Sequence, residues 1–93
     1  MATPAVVTCA ANDWTLIASG ATSAIAFQFR DRSQSGVVLP TSSSTKPATK
    51  SGSQGYFEVA GFEPVSNLQA ASTDYFWFWP SGKSAVDLAV WVA

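Results

Sequence analysis

The stretch "DYFWFWPSG", residues 74–82, places aromatic side chains on five consecutive positions and ends in a Pro-Ser-Gly turn. A β-strand directs alternate side chains to opposite faces of its sheet, so both faces of this segment are aromatic. A small soluble chain rarely leaves so much apolar surface in water. The stretch therefore predicts a strand with one face in the core, and a second face covered by this chain, by a ligand or by another protein.

Alternation with a period of two continues along most of the chain. In "AIAFQFR", residues 24–30, three large apolar side chains share one face, and in "SAVDLAVWVA", residues 84–93, four do so with Trp91 on the opposite face. Turn signals separate these strand-length runs at intervals of about 8–12 residues. The pattern predicts an all-β fold, a small antiparallel β-sandwich (jelly-roll or immunoglobulin-like) of seven to eight strands in two sheets.

The length of 93 residues fits a single domain with three less regular segments. We expect residues 1–7 to form a flexible N-terminal arm, because "TPAVV" contains a proline that suits an extended arm or an edge strand. Residues 41–55, "TSSSTKPATKSGSQG", predict a long polar loop, either mobile or ordered by contact with a partner. Lys46 and Lys50, without a nearby acid in the sequence, give it a positive bias. Residues 66–73 fit one helical turn, a short strand or a linker.

The composition excludes several kinds of chemistry. Charged residues make up 12% of the chain, against about a quarter in an average domain, and histidine is absent. Without histidine there is neither Ser-His-Asp nor Cys-His catalysis, nor a His-containing zinc site. The single Cys9 lies in the apolar run "VVTCAA" and is expected to be a buried small hydrophobe. Because no basic cluster exceeds residues 30–32, we expect no nucleic-acid binding.

The six carboxylates do not suggest a catalytic pair. A glycosidase needs two carboxyl groups facing each other across a cleft, and a calcium site needs an oxygen-rich loop. Only Glu58 and Asp87 lie within predicted strands, and nothing in the sequence pairs them. A Ser-Lys pair requires a desolvated lysine, whereas the lysines lie in polar turns. We therefore expect no enzyme activity, no cofactor and no metal.

The sequence also predicts where the chain resides. No segment approaches the roughly 18 consecutive apolar residues of a membrane span. The N terminus has neither the positive region nor the apolar region of a signal peptide. We expect no membrane association and a product that stays in the cytoplasm of the producing cell, or leaves it by assembly or lysis.

Three interpretations of the aromatic strand are open. In the first it is core, with Trp77 and a neighbouring row facing the opposite sheet while loops shield the outer row. In the second it is a sugar platform, because flat Trp and Tyr rings stack on pyranose rings. In the third it is an assembly surface, since aromatic residues dominate protein interfaces. Two outward faces that both carry Trp favour assembly, and the candidate interface residues are Tyr75, Trp77, Trp79, Trp91, Lys46 and Lys50.

Four motifs carry a resemblance to a known family. They are "NDWTLIASGATSAIAFQF" (12–29), "GYFEVAGFEP" (55–64), "DYFWFWPSGKS" (74–84) and "VDLAVWVA" (86–93). Together they resemble small bacteriophage virion proteins over most of residues 8–93. The resemblance implies a non-enzymatic β-sandwich that decorates the capsid or serves in head and tail fittings, often as a trimer or other oligomer. The heavier aromatic strand and the longer Ser/Thr loop depart from the family pattern, which leaves the position in the virion open.

Composition and resemblance agree on one expected function. We expect a virion structural protein, above all a capsid decoration protein, made in the host cytoplasm and located in the virion. Its expected partners are the major capsid protein or other virion proteins, together with further copies of itself. The main alternative is a carbohydrate-binding or host-recognition module of a phage fibre. A third possibility is a cytoplasmic β-domain without a partner.

Overall fold

The computed structural model describes residues 5–48, 50, 55–61 and 64–93, apart from the side chains of residues 66 and 67. The strands are β1 (Ala5–Cys9), β2 (Thr15–Ser19), β3 (Ala24–Phe29), β4 (Ser35–Thr41), β5 (Phe57–Ala60), β6 (Val65–Gln69), β7 (Tyr75–Pro80) and β8 (Val86–Val92). The described residues contain no helix long and apolar enough to cross a membrane.

The eight strands form two antiparallel sheets of four that pack against each other. Sheet A has the order β1-β8-β3-β6, and sheet B has the order β2-β7-β4-β5. The pairs are nested along the chain, because β1 pairs with β8, β2 with β7, β3 with β6, and β4 with β5. This arrangement is a jelly roll. The predicted β-sandwich is confirmed, and the strand order selects the jelly-roll alternative over the immunoglobulin-like one.

The core lies between the two sheets and follows the predicted alternation. Ile25, Phe27 and Phe29 of β3 are at most 5% exposed. From sheet B, Phe76 and Phe78 of β7 enter the same core, where the rings of Phe29 and Phe78 meet edge to face with their centroids 5.6 Å apart. Burying a side chain of this size stabilises the fold by about 1.5–3 kcal/mol. These rings therefore hold the two sheets together.

Gly36 in β4 makes room for the ring of Phe78. A Cβ atom at position 36 would lie 2.3 Å from Cζ of Phe78, well inside the contact distance of two carbon atoms. The same Cβ would lie 2.7 Å from the backbone oxygen of Trp79, so a side chain at position 36 would also collide with the neighbouring strand. The glycine is thus required by the close approach of a strand backbone to a core ring.

The flexible-arm prediction is wrong for residues 5–7, and the edge-strand alternative is confirmed for them. These residues belong to β1 and pair with Val90, Ala89 and Leu88 of β8. Their partner strand lies at the opposite end of the chain, so no local pattern reveals the pairing. Residues 1–4 of the predicted arm lie outside the described residues.

The two other irregular segments have different outcomes. Residues 66–73 begin within β6, so the short-strand alternative is confirmed for that part and the helical turn is wrong. In the predicted loop 41–55, Thr41 is the last residue of β4. The described residues that follow it in the loop form neither helix nor strand, and residues 49 and 51–54 lie outside the described part.

Candidate functional site

The outward face of sheet B carries a second apolar cluster, separate from the core between the sheets. Alternation in β7 produces it, because the two Phe residues of this strand point inward and the other three aromatics point outward. β4 adds two aliphatic residues directly opposite the outward Trp residues. We name this group the outer aromatic cluster; its members are Trp14, Val37, Leu39, Trp77 and the partly buried Tyr56, Tyr75 and Trp79.

Trp77 is buried within the outer aromatic cluster. Its side chain is 4% exposed, and its Nε1 donates a hydrogen bond to Oγ1 of Thr41 over 3.1 Å. The interpretation in which Trp77 faces the opposite sheet is wrong, because Phe76 and Phe78 take the inward positions. Trp77 was also a candidate interface residue, and at this level of burial it has little surface left to offer a partner.

Trp14 and Trp79 pack against each other at one side of the cluster. Trp14 is 1% exposed, and its ring meets that of Trp79 at 70° with the centroids 5.4 Å apart. Such edge-to-face packing is favourable for aromatic pairs, yet it occupies ring surface on which a pyranose would stack. The sequence pattern did not single out Trp14, because its contact with Trp79 depends on the long-range pairing of β2 with β7.

The loop that follows β4 is tied to this face at two points. Nζ of Lys46 lies 3.0 Å from Oδ2 of Asp13, next to Trp14. Nζ of Lys50 lies 5.6 Å from the ring centroid of Tyr56 and 5.9 Å from that of Trp79, which are cation–π distances. The expectation that these lysines lack a nearby acid is wrong for Lys46. Both ammonium groups interact with their own chain.

Asp13 connects the loop to the start of β2. Its Oδ1 accepts a hydrogen bond from the backbone N–H of Trp14 over 2.9 Å, while Oδ2 accepts one from Lys46. The hydrogen bond from Lys46, assisted by that from Trp14, lowers the pKa of Asp13 below its usual value. Both partners of the ion pair are about half exposed, so the pair contributes little stability.

The outward face of sheet A has a different composition. The inward positions of its strands belong to the core, so the alternate positions define an outward surface that we name the open face. Trp91 lies opposite Ala26 on this surface, and Ala89 lies between Gln28 and Val6. The members of the open face are Val6, Thr8, Ala24, Ala26, Gln28, Asp87, Ala89 and Trp91. Small side chains dominate it, and Asp87 places a carboxylate beside Thr8.

The open face retains exposed apolar surface. Val6 is 55% exposed, more than any other large hydrophobic side chain that the structure describes. Beside the half-buried Trp91 lies a depression of about 180 Å³, lined by Ala24, Ile25, Ala26, Trp91 and Ala93. Both outward faces thus carry Trp, as the sequence predicts, with Trp79 on one and Trp91 on the other. That these residues form an interface stays a prediction. The sequence pattern missed Val6, because it placed this residue in the flexible arm.

Titratable groups do not converge on a reactive site among the described residues. Cys9 is fully buried, and burial, followed by the charge of Asp87, raises its pKa to about 12. The thiol stays protonated at neutral pH, so the prediction of a buried hydrophobe is confirmed.

The two strand carboxylates lie on different sheets. Glu58 is on sheet B, whereas Asp87 is on sheet A and accepts a hydrogen bond from Thr8 Oγ1 over 2.7 Å. No three acidic or cysteine side chains in the described part of the chain are placed to hold a metal ion.

A polar depression of about 410 Å³ lies where the turn after β7 meets the start of β4. Its lining residues are Ser33, Gln34, Ser35, Ser81, Gly82, Lys83, Ser84 and Val86. Lys83 is the ionisable residue among them, and it is exposed. A catalytic Ser-Lys pair requires a desolvated lysine. This depression therefore lacks the means to activate its serines.

Comparison of the chain with protein-family models, curated proteins and solved structures finds no match. The resemblance to small phage virion proteins therefore rests on the sequence motifs alone.

Proposed function

We propose that the protein is a non-enzymatic structural protein of a bacteriophage virion, a capsid decoration protein that binds the assembled shell. The observation that carries the proposal is the open face of sheet A, where Trp91 and the exposed Val6 each lie opposite an alanine and Asp87 lies towards the far end, beside Thr8. Depletion of charge around an aromatic residue is typical of the centre of a protein interface. The low charge of the whole chain, 12%, also suits a protein that works while packed against others.

The fold supports two classes of function by analogy. Jelly rolls occur in viral capsid proteins and in lectins, and a fold alone does not decide between them. The aromatic surfaces favour a protein partner. The ring of Trp79 is engaged by Trp14 and Lys50, and the depression beside Trp91 is lined by apolar residues. A sugar site needs a free ring face together with convergent hydrogen-bonding groups.

A decoration protein of this kind stabilises a shell by mass action. It binds the assembled lattice of the major capsid protein and not the dissociated subunits, so occupancy shifts the equilibrium towards the shell. With few charges on the open face, the affinity comes from burial of apolar surface. Binding should therefore persist when salt is raised, because salt screens mainly exposed charges.

Co-sedimentation with capsids tests the proposal. The capsids come from the phage that encodes the chain and are prepared without this protein. We expect the wild type to sediment with them, and Trp91→Ala to weaken binding by about 30-fold or more, the cost of losing an interface hot spot. Leu16→Ala is the matched control, because Leu16 is 38% exposed on sheet B and should bind like the wild type.

The same proteins distinguish the alternatives. A chain that ignores capsids, and whose Trp fluorescence shifts when polysaccharide is added, would overturn the proposal in favour of a carbohydrate-binding module. A chain that responds to neither would favour a cytoplasmic β-domain without a partner. Equal loss of capsid binding in Trp91→Ala and Leu16→Ala would contradict the assignment of the surface to the open face.

A further inference from the structure

The sandwich has four edge strands, and three of them carry features that discourage pairing with another chain. Natural proteins protect sheet edges with bulges, charges or short strands. The pairing of β2 with β7 is interrupted by a register shift between Leu16 and Ala18. The pairing of β6 with β3 is interrupted at the positions of Ile25 and Phe27. β5 is four residues long and carries the exposed Glu58.

The fourth edge strand, β1, has none of these features. All five of its residues pair with β8 in an unbroken register. Its sequence, "AVVTC", contains no charge and no proline. Val6, the most exposed large hydrophobic side chain that the structure describes, lies on this strand. A regular, uncharged and apolar edge is a template for a further strand.

We propose that the β1 edges of two copies of this chain pair antiparallel about a two-fold axis. The two A sheets then form one continuous eight-stranded sheet. Residues directly opposite each other in a sheet point to the same face, so outward Val6 and Thr8 must meet outward residues, and inward Val7 an inward one. The register that uses all five residues places Val7 opposite its own copy, Val6 opposite Thr8 of the partner subunit, and Ala5 opposite Cys9 of the partner subunit.

The strand fits a second copy of itself because this register creates no unfavourable side-chain pair. Every cross-strand pair joins small or β-branched side chains, which pair favourably across strands, and no charge faces a like charge. The nearest acid, Asp87 of β8, is hydrogen-bonded to Thr8 of its own chain. Antiparallel self-pairing is isologous, so it closes after two copies and gives a dimer where the sequence suggested an oligomer such as a trimer.

This inference does not depend on capsid binding. The dimer forms in solution or does not, whatever the shell does. If it forms, the open faces of two subunits become one surface with the two Val6 side chains near its centre. A failure of dimerisation with intact capsid binding would remove this inference and leave the proposed function in place.

Oligomeric mass in solution gives the first test. Analytical ultracentrifugation over a micromolar concentration series should give twice the monomer mass for the wild type. Val6→Lys should raise the dimer dissociation constant by about tenfold or more, because symmetry introduces the unfavourable charge twice. Leu16→Lys makes the same change on the bulged edge β2 and should leave the dimer intact. Near-ultraviolet circular dichroism checks that both variants are folded.

Disulfide trapping gives the second test and defines the register. Cys9 is buried and its pKa is about 12, so it contributes little background. A mixture of Val6→Cys and Thr8→Cys proteins should form a disulfide-linked dimer under mild oxidation, and either protein alone should do so much less. A wild type that stays monomeric, or a dimer that Leu16→Lys dissociates and Val6→Lys does not, would overturn the inference. Preferential crosslinking of Val6→Cys to itself would overturn the register.

Discussion

The two outward faces of this sandwich are built by the same alternation of side chains, yet they differ in what covers them. On sheet B the outward positions are large and aromatic, and the chain buries them among its own residues and a lysine-bearing loop. On sheet A most outward positions are small, Val6 is exposed and Trp91 is half-buried. Trp14 and Trp77 of the more aromatic face are thus less available than Trp91, whereas Tyr75 and Trp79 are half-buried like it. The aromatic content of a strand indicates how much apolar surface must be shielded from water. It does not indicate whether the same chain, a ligand or another protein shields it.

Replacing one Trp on each face should give the largest contrast. Trp77→Ala removes a side chain that is 4% exposed and hydrogen-bonded to Thr41, so the free energy of unfolding should fall by about 3–5 kcal/mol. Trp91→Ala removes a half-buried side chain from the open face and should cost less, about 1–2 kcal/mol. Urea denaturation of both variants measures the difference.

A loss this large can leave Trp77→Ala unfolded, so Trp77→Phe provides a milder check. It keeps an aromatic ring and removes the hydrogen bond to Thr41, and should cost about 1 kcal/mol for that bond. Equal destabilisation by Trp77→Ala and Trp91→Ala would contradict the claim that Trp77 is more deeply buried than Trp91.

A smaller effect is expected from the loop lysine above the aromatic rings. Lys50→Met keeps the aliphatic stem and removes the ammonium group that lies over Tyr56 and Trp79. The free energy of unfolding should fall by about 0.5–1 kcal/mol, the range of an exposed cation–π contact. Lys83→Met, at an exposed turn position, is the control and should leave stability unchanged. Identical urea curves for the wild type and Lys50→Met would mean that the loop is not held by this contact.

The smallest effect should come from acid. The pKa of Asp13 is lowered in the folded chain, so its contribution to stability is present above its unfolded pKa, near 3.9, and is lost as pH falls through the folded value. Hydrogen bonds from Ser33 lower the pKa of Asp31 as well, and add a loss of the same sign. Thermal melts at pH 7 and pH 3 should show that Asp13→Asn loses less Tm than the wild type. The same pH dependence in both proteins would exclude Asp13 as a source of it.

Local alternation was sufficient to predict the core and the class of the fold. Ile25, Phe27 and Phe29 share one face by their spacing alone, and all three are buried as predicted. The same rule applied to β7 correctly separates the two Phe residues from Tyr75, Trp77 and Trp79. It does not indicate which row faces the other sheet, because that depends on how the strand is placed between β2 and β4.

The errors all involve partners that are distant in sequence. The N-terminal strand looked like an arm, because its partner β8 lies at the other end of the chain. Lys46 looked unpaired, because Asp13 lies on a different loop and reaches it only in the folded chain. Trp14 packs against Trp79, and Val6 pairs with Ala89, through contacts that are also distant in sequence. Alternation does not predict which strands pair with each other. Both candidate surfaces depend on that nested pairing.

The nested pairing also determines when this chain can fold. β8 lies between β1 and β3 in sheet A, so β1 acquires its hydrogen-bonding partner only after the six strands between them in the sequence have been synthesised. Sheet A therefore cannot close before β8 has left the ribosome. Topologies dominated by such distant pairs fold slowly, in milliseconds to seconds. Through that interval the uncharged β1 strand is unpaired, and its hydrogen-bonding groups are open to association with other chains.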